Sequence, residues 1–403
     1  MNIIVQKFGG TSVASEKGWQ ALAGKVKEVI AEGKAPLVVV SAMGRRPAPY
    51  ATDSLLDLVK NGSDARERDM LMTCGEIISA VVVSSYLRGQ GIKAKAFDGA
   101  GAGISASGVY GSASIESIDP AALLSAIEEG LVPVAAGFQG VNEKGELVTL
   151  GRGGSDTTAA ALGAAVGAER VDIFTDVEGV MTADPRVVPE ARVLDSISHA
   201  EVGEMANEGA KVLHPRAVDI SQAHKVPLRV RSTFSPAPGT LISNVDIADR
   251  RLQCEKLATG VVSVPGYCMV NIDFQAVPDL PRRRFYIFER LAGASLSLDM
   301  INVSGDKLAF LISNSDINTA KKLLQELGLS FDMRFGCAKV SVVGQGMRGQ
   351  PGVMMRICRA LCACGVELFY STDSHITISV VVPEKELSTA SRAIHSEFGL
   401  EAE

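Results

Sequence analysis

The sequence predicts an α/β protein, with a mostly parallel sheet flanked by helices followed by two smaller α+β units. Three observations carry this. Over residues 1–245, short apolar runs alternate with longer helical patterns, the signature of a parallel sheet covered on both faces. Glycine-rich turns fall at the carboxyl ends of several strand candidates, where such sheets place their ligands. Beyond residue 256 one pattern occurs twice at an offset of 70 residues.

In chain order, the strand candidates of the first part are 2–6, 37–41, 92–97, 132–138, 171–177 and 227–233. The helix candidates are 15–32, 66–88, 120–129, 155–167 and 199–224. Residues 244–256 (NVDIADRRLQCEK) are polar, lack periodicity and read as a linker. After it, FERLAGASLSLDMIN (288–302) lines up with CRALCACGVELFYST (358–372), Leu291 falling on Leu361 and Leu298 on Leu368. Each copy continues into an alternating strand and a final helix ending at Gly328 or Gly399, so each reads as a βαββαβ unit. The expected domains are 1–245, 246–335 and 336–403.

Composition narrows the function. Net charge is −6 and no basic block is present, which argues against a nucleic-acid partner. No signal peptide is expected, because the run before Lys7 is too short. No stretch approaches 18 uncharged apolar residues, so no membrane span is expected. The seven cysteines form no CxxC pair. Cys358, Cys362 and Cys364 cluster, and read as reduced thiols on a helix, as in a cytoplasmic enzyme.

Five stretches carry chemistry. KFGGTS (7–12) ends the first strand with a cation and runs into backbone without side chains. It is neither a Walker A loop, in which the lysine follows the glycines, nor a G-x-G-x-x-G fingerprint. Gly9 and Gly10 would let backbone N–H groups approach an anion, and Thr11 and Ser12 would cap the next helix. TLGRGGSDTTAAALGAAVGA (149–168) repeats the layout. Arg152 there can grip a carboxylate bidentately, and Asp156 stands at a helix start, where a plain N-cap is the alternative role.

In FTDVEGVMTADPR (174–186) a buried strand ends at Thr175-Asp176 and a long turn follows, punctuated by Gly179 and Pro185. GAKVLHPRA (209–217) sets Lys211 among apolar neighbours, as for a lysine held near an anion. CGEIISA (74–80) places Glu76 on an otherwise apolar helix, where it needs a partner: a substrate ammonium or a neighbouring arginine.

Together these stretches resemble the aspartate kinases of the amino-acid kinase superfamily. KFGGTS at 7–12, SAMG at 41–44, the GE pair at 75–76, GFQG at 137–140, LGRGGSDT at 150–157, TDVEGVMTADPR at 175–186 and VRS at 230–232 stand in that family's order and spacing. SAMGRRPAPYATDSLL is most similar to the monofunctional bacterial branch, and the C-terminal repeats are similar to its paired ACT domains. The resemblance implies an amino-acid kinase fold followed by two ACT (ferredoxin-like βαββαβ) domains. It implies phosphoryl transfer from ATP, with Mg2+ arriving on the nucleotide, to the side-chain carboxylate of L-aspartate, the first step toward lysine, threonine, methionine and diaminopimelate. Another acyl-phosphate-forming kinase, acting on glutamate or N-acetylglutamate, is the enzymatic alternative; an amino-acid sensor is the non-enzymatic one.

The resemblance also distributes roles. Lys7 and Lys211 would neutralise the transferring phosphoryl group and Asp156 would orient them. Lys7, Phe8, Gly9, Gly10, Thr175, Asp176, Met181, Arg186 and Lys211 would face ATP. Ser41, Thr52, Glu76, Arg152, Gly153, Gly154 and Ser155 would face aspartate, Glu76 receiving its ammonium and Arg152 a carboxylate. No metal cage of the protein's own is expected. The acceptor carboxylate is already ionised at neutral pH, its ordinary pKa being about 3.9. No general base is therefore needed, and the site should offer cations and backbone donors instead.

Two departures stand out. Met181 occupies a position that is aromatic in many relatives, and Arg282 in PDLPRRR replaces the glycine that the second repeat keeps in QPGV (350–353). ACT pairs imply an amino-acid effector (lysine, threonine or diaminopimelate, left open) and a homodimer or larger oligomer.

Overall fold

The structure, a computed structural model, describes residues 2–59, 62–210, 212–244, 257–274, 279–347 and 349–402. The chain divides into two units. Met1–Val180, Val193–Asn207 and Lys211–Cys254 form the first; Met181–Arg192, Glu208–Ala210 and Glu255–Glu403 form the second.

The first unit is built on an eight-stranded sheet. Its order is Ser196–Ser198, Thr240–Ser243, Leu228–Ser232, Arg170–Thr175, Ile3–Phe8, Ala35–Val40, Val132–Ala136 and Ala94–Phe97. From Leu228–Ser232 to Ala94–Phe97 all strands are parallel. Central strands Ile3–Phe8 and Ala35–Val40 are buried along their whole length, as continuous apolar runs in a two-sided parallel sheet require. Helices Glu16–Ala31, Ala65–Gly89 and Gly154–Ala165 contact these strands. Each expected strand and helix has a counterpart, with one change: the pattern at 199–224 is two helices, His199–Asn207 and Pro215–His224. Pro215 opens the second, since proline fits the first turn but not a helix interior.

A second sheet of four short strands went unexpected: Ser114–Ile118, Ile104–Ser107, Gln139–Val141 and Leu147–Thr149. Three- to five-residue strands with mixed exposure carry almost no periodic signal. Helix Ala65–Gly89 is long and apolar enough to cross a membrane by length and composition alone. It packs on strands Ala94–Phe97, Val132–Ala136 and Leu147–Thr149 and carries buried Asp69 and Glu76.

The second unit holds both repeats on one antiparallel six-stranded sheet, ordered Asp299–Ser304, Lys307–Ser313, Gly260–Asp273, Ser330–Val343, Thr377–Pro383 and Tyr370–Asp373. The offset of 70 is kept in the backbone: Lys307–Ser313 answers Thr377–Pro383, and helix Ile317–Glu326 answers Leu387–Glu397. The two modules are not separate beads, however. Both 14-residue strands run through each module. Gly260–Val264 pairs with Lys339–Val343 in the second module, while Tyr267–Asp273 pairs with Ser330–Cys337 in the first.

Ladder irregularities around Gly266 (φ 88) mark the change from one module's pairing to the other's. The second module's closing strand thus precedes it in sequence. The proposed boundary at 335/336 falls inside strand Ser330–Val343, and the expected linker 244–256 lies outside the described residues apart from Asn244.

The helix starts of the two modules also differ from the expected alignment. Positive φ occurs at Asp279 (φ 54) in the first and Gly352 (φ 89) in the second. Arg282 stands inside helix Leu280–Gly293, so it does not occupy the turn. All six described cysteines are free, and Cys358 and Cys362 are exposed.

Candidate active site

The site lies in the first unit, beyond the carboxyl ends of strands Ile3–Phe8 and Ala35–Val40. Lys7, Gly10, Ser41, Thr52, Glu76, Arg152, Gly153, Gly154, Ser155 and Asp156 line one cavity of about 470 Å³. Ten expected residues thereby come together from five separate stretches of chain.

Lys7 is 9% exposed, and its Nζ lies 2.5 Å from Asp156 Oδ1. Asp156 is the third residue of helix Gly154–Ala165, so its carboxylate serves Lys7 and is not the N-cap. The cap position belongs to Gly153 at φ 67. A Cβ there would sit 2.1 Å from Cγ of His214, so both backbone conformation and space demand glycine. The N-terminus of this 12-residue helix opens on the cavity, which favours an anion beside Gly153, Gly154 and Ser155.

Glu76 is 3% exposed. Its Oε1 accepts from Ala42 N at 3.0 Å, while Oε2 is buried without a hydrogen-bond partner. Burial pushes its carboxyl up to about 8, against the partial help of the Ala42 N–H. No arginine meets it among the described residues, which leaves a substrate ammonium as the partner in question. Arg152 is exposed at the cavity. Thr52 begins helix Thr52–Leu56, and Ser41 N donates to Phe8 O at 3.1 Å, holding the SAMG turn against the first strand.

The glycine pair works differently from expectation. Gly9 N donates to Phe174 O at 3.2 Å, so that N–H is already taken. Gly10 is needed for close approach: a Cβ would lie 2.8 Å from both Ala42 O and Gly44 O. The helix after the turn starts at Glu16 with Ser15 as its cap. Ser12 instead bonds Thr233 Oγ1 at 2.6 Å through its hydroxyl. Phe8 contributes its side chain to the core, stacked on Phe174 at 4.6 Å.

The residues expected on the nucleotide side fall in both units. Thr175 closes the strand Arg170–Thr175 in the first unit and Asp176 follows it, the Thr175 hydroxyl donating to Asp176 Oδ1 at 3.1 Å. Met181 and Arg186 belong to the second unit, where the neighbouring Ala183 and Val188 enter the core of the second module. Arg186 is paired with Asp184 at 2.7 Å. Lys211 lies outside the described residues.

Arg45, Asp53, Gly111 and Phe138 line the same cavity without having been singled out. Phe138 stood inside the quoted GFQG, and its φ of 68 is unusual for a bulky residue. His214, beside Gly153, has a buried Nδ1 without a partner. Burial lowers its pKa, against the pull of Asp156.

A model of the amino acid kinase family matches residues 2–232, more than half of the chain. The chain belongs to the amino acid kinase family. An ACT-domain model matches residues 333–396. Within the amino acid kinase family, Aspartokinase 1 of Bacillus subtilis (strain 168) is 44% identical over 404 residues, spanning 99% of this chain and 100% of the relative. An aspartokinase of Geobacillus stearothermophilus is 40% identical over 414 residues, spanning 100% and 98%. The solved structure of E. coli aspartokinase III in complex with aspartate and ADP superposes with a TM-score of 0.77 at 28% identity, covering 98% of this chain and 99% of that one. The same enzyme with lysine and aspartate gives 0.75 at 27% identity, over the same shares. This member of the amino acid kinase family thus matches aspartokinases along its whole length.

Proposed function

We propose that the cavity of the first unit transfers the terminal phosphoryl group of ATP to the side-chain carboxylate of L-aspartate, giving ADP and β-aspartyl phosphate. A carboxylate oxygen attacks phosphorus, the bond to the ADP oxygen breaks, and no proton changes hands. The difficulty is charge: an anion must approach a polyphosphate.

The observation that carries the reading is the pairing of opposite needs in one cavity. Lys7, held by Asp156 at 2.5 Å, meets developing phosphate charge. In the same cavity the unpartnered Oε2 of Glu76 accepts an α-ammonium. The helix start at Gly154 and the Arg152 guanidinium receive a carboxylate. Asp156 orients Lys7 and has no substrate proton to remove. Lys211 joins Lys7 in this account on the strength of the family motif alone.

Thr175, Asp176, Met181 and Arg186 are proposed for the nucleotide side on the same ground. Magnesium is proposed to arrive on the nucleotide's phosphates. The second unit is proposed to bind an amino-acid end product and restrain the reaction, as the lysine-bound relative suggests, and to pair subunits.

Hydroxylamine trapping tests the substrate. With ATP and a panel of acidic amino acids, hydroxamate should form with aspartate. Hydroxamate with glutamate and none with aspartate would overturn the assignment.

A further inference from the structure

Asp69 and Arg216 take no part in the reaction scheme, yet they grip the same piece of the cavity wall. Asp69, on helix Ala65–Gly89, is 1% exposed. Its Oδ2 accepts from Gly111 N at 2.9 Å and Thr149 N at 2.7 Å, and its Oδ1 from Thr149 Oγ1 at 3.0 Å. Arg216 belongs to the GAKVLHPRA stretch and is the second residue of helix Pro215–His224. Its Nη1 donates to Leu150 O at 2.7 Å, and its Nη2 to Ala113 O at 3.1 Å and Ser114 Oγ at 3.2 Å.

Every one of these bonds ends on one of two segments, 111–114 and 149–150. The segments are joined by Ala113 N donating to Thr149 O at 2.9 Å. They meet again at the cavity, where a Cβ on Gly151 would lie 3.2 Å from Gly111 O. Gly111, Gly151 and Arg152 all line that cavity.

The turn so held needs holding. Gly151 (φ 74) and Gly153 (φ 67) flank Arg152, and glycine backbone is the freest in the chain. An exposed arginine on two glycine hinges would have to be ordered by its ligand, which weakens binding. Fixing the backbone that leads into the turn, and the 111–114 segment packed against it, lowers that cost.

We propose that Asp69 and Arg216 are positioning residues for the acceptor half of the site: from opposite sides they fix the Thr149–Gly153 turn and thereby set where Arg152 meets a carboxylate of the amino-acid substrate. This rests on the assignment of Arg152 to the acceptor. A residue that only held the fold together would change the amount of active enzyme and the melting temperature, and would leave both KM values alone. A positioning residue raises KM for one substrate.

The test is steady-state kinetics of the full chain with aspartate and ATP varied separately, for Arg216→Gln, Arg216→Lys and Asp69→Asn. Arg216→Gln and Asp69→Asn should each raise KM for aspartate about tenfold, the loss of a charge-assisted hold, with KM for ATP within about twofold of the parent. Arg216→Lys should recover part of the loss. The double variant should lose less than the product of the single losses, because both act on one turn. Equal changes in the two KM values, or unchanged KM values with a lowered melting temperature, would overturn the proposal.

Arg152→Ala separates this proposal from its premise. If it raises KM for aspartate while Arg216→Gln does not, the proposal fails and the acceptor assignment stands. If it leaves KM for aspartate unchanged, both fail. Should Asp69→Asn not fold, the two Arg216 variants decide by the same split.

Discussion

Replacing Glu76 by glutamine probes the acceptor site most directly. The carboxyl is buried, holds one hydrogen bond from Ala42 N, and has its pKa pushed up to about 8. At pH 7 only about one free enzyme molecule in ten therefore carries the charge that an ammonium needs. Binding aspartate must expel a proton from the rest.

For the parent enzyme, kcat/KM for aspartate should then rise about tenfold between pH 6 and 7 and level off above pH 8. Glutamine keeps the shape and accepts from Ala42, but cannot ionise. The lost charge-assisted bond is worth about 1.5–3 kcal/mol, so KM for aspartate should rise roughly 10- to 150-fold at pH 8 and above. The gap should narrow about tenfold at pH 7, where the parent must first ionise. The pH dependence below 8 should vanish.

Initial rates of ADP release between pH 6 and 9 read this out, and calorimetry in buffers of differing ionisation enthalpy counts the released proton. A change confined to KM for ATP, or a flat parent profile, would refute the assignment. The same shift has a stability consequence. Between 4.5 and 8 the folded state binds the proton that the unfolded state has lost, so stability of the free enzyme falls as pH rises through that window. The whole displacement, from 4.5 up to about 8, corresponds to about 5 kcal/mol. Glu76→Gln should accordingly be the more stable protein at pH 8, by up to that order.

Two further outcomes are expected. Lys7→Ala should lower kcat by roughly 10²–10³, the scale of one lost transition-state charge contact; the hydroxamate assay measures it, and an unchanged kcat removes Lys7 from the mechanism. In the second unit His395 is 1% exposed and bonds Thr182 Oγ1 at 2.9 Å. Burial lowers its pKa below the ordinary 6.5, partly opposed by Glu401 and Glu190. The unfolded chain then takes up the proton first, so stability present above about pH 6.5 is lost as pH falls. Against the opposing trend that Glu76 sets over the same range, urea titrations should show His395→Gln gaining stability relative to the parent between pH 7 and pH 5, and an equal pH dependence in both proteins would remove His395 from this account.

Much of this architecture was legible beforehand because it is written in periodicity. The short, β-branched-rich apolar stretches inside IIVQKF (3–8) and APLVVV (35–40) point to buried central strands. The offset of 70 residues survives from letters to strands because each repeat buries the same faces. Local end effects were harder. Ser15, rather than Thr11 or Ser12, caps the first long helix, since several nearby hydroxyls satisfy the same local rule and Ser12 is claimed by distant Thr233. The four-stranded sheet escaped notice because its strands are too short to show a period.

Taken alone, the sequence determined the kinase-like sheet, the doubled C-terminal module and the kinds of groups that meet the substrate: a lysine after a strand, an acid on an apolar helix, an arginine between glycines. Tertiary structure decided which atoms of those groups are available. Gly9 loses its N–H to Phe174 O, Asp156 is drawn to Lys7, and one oxygen of Glu76 stays unpartnered. Asp69 and Arg216 find their partners on one turn. Each outcome depends on a neighbour far away in the chain. Hydrogen bonds act over about 3 Å, and separation along a sequence says nothing about distance on that scale.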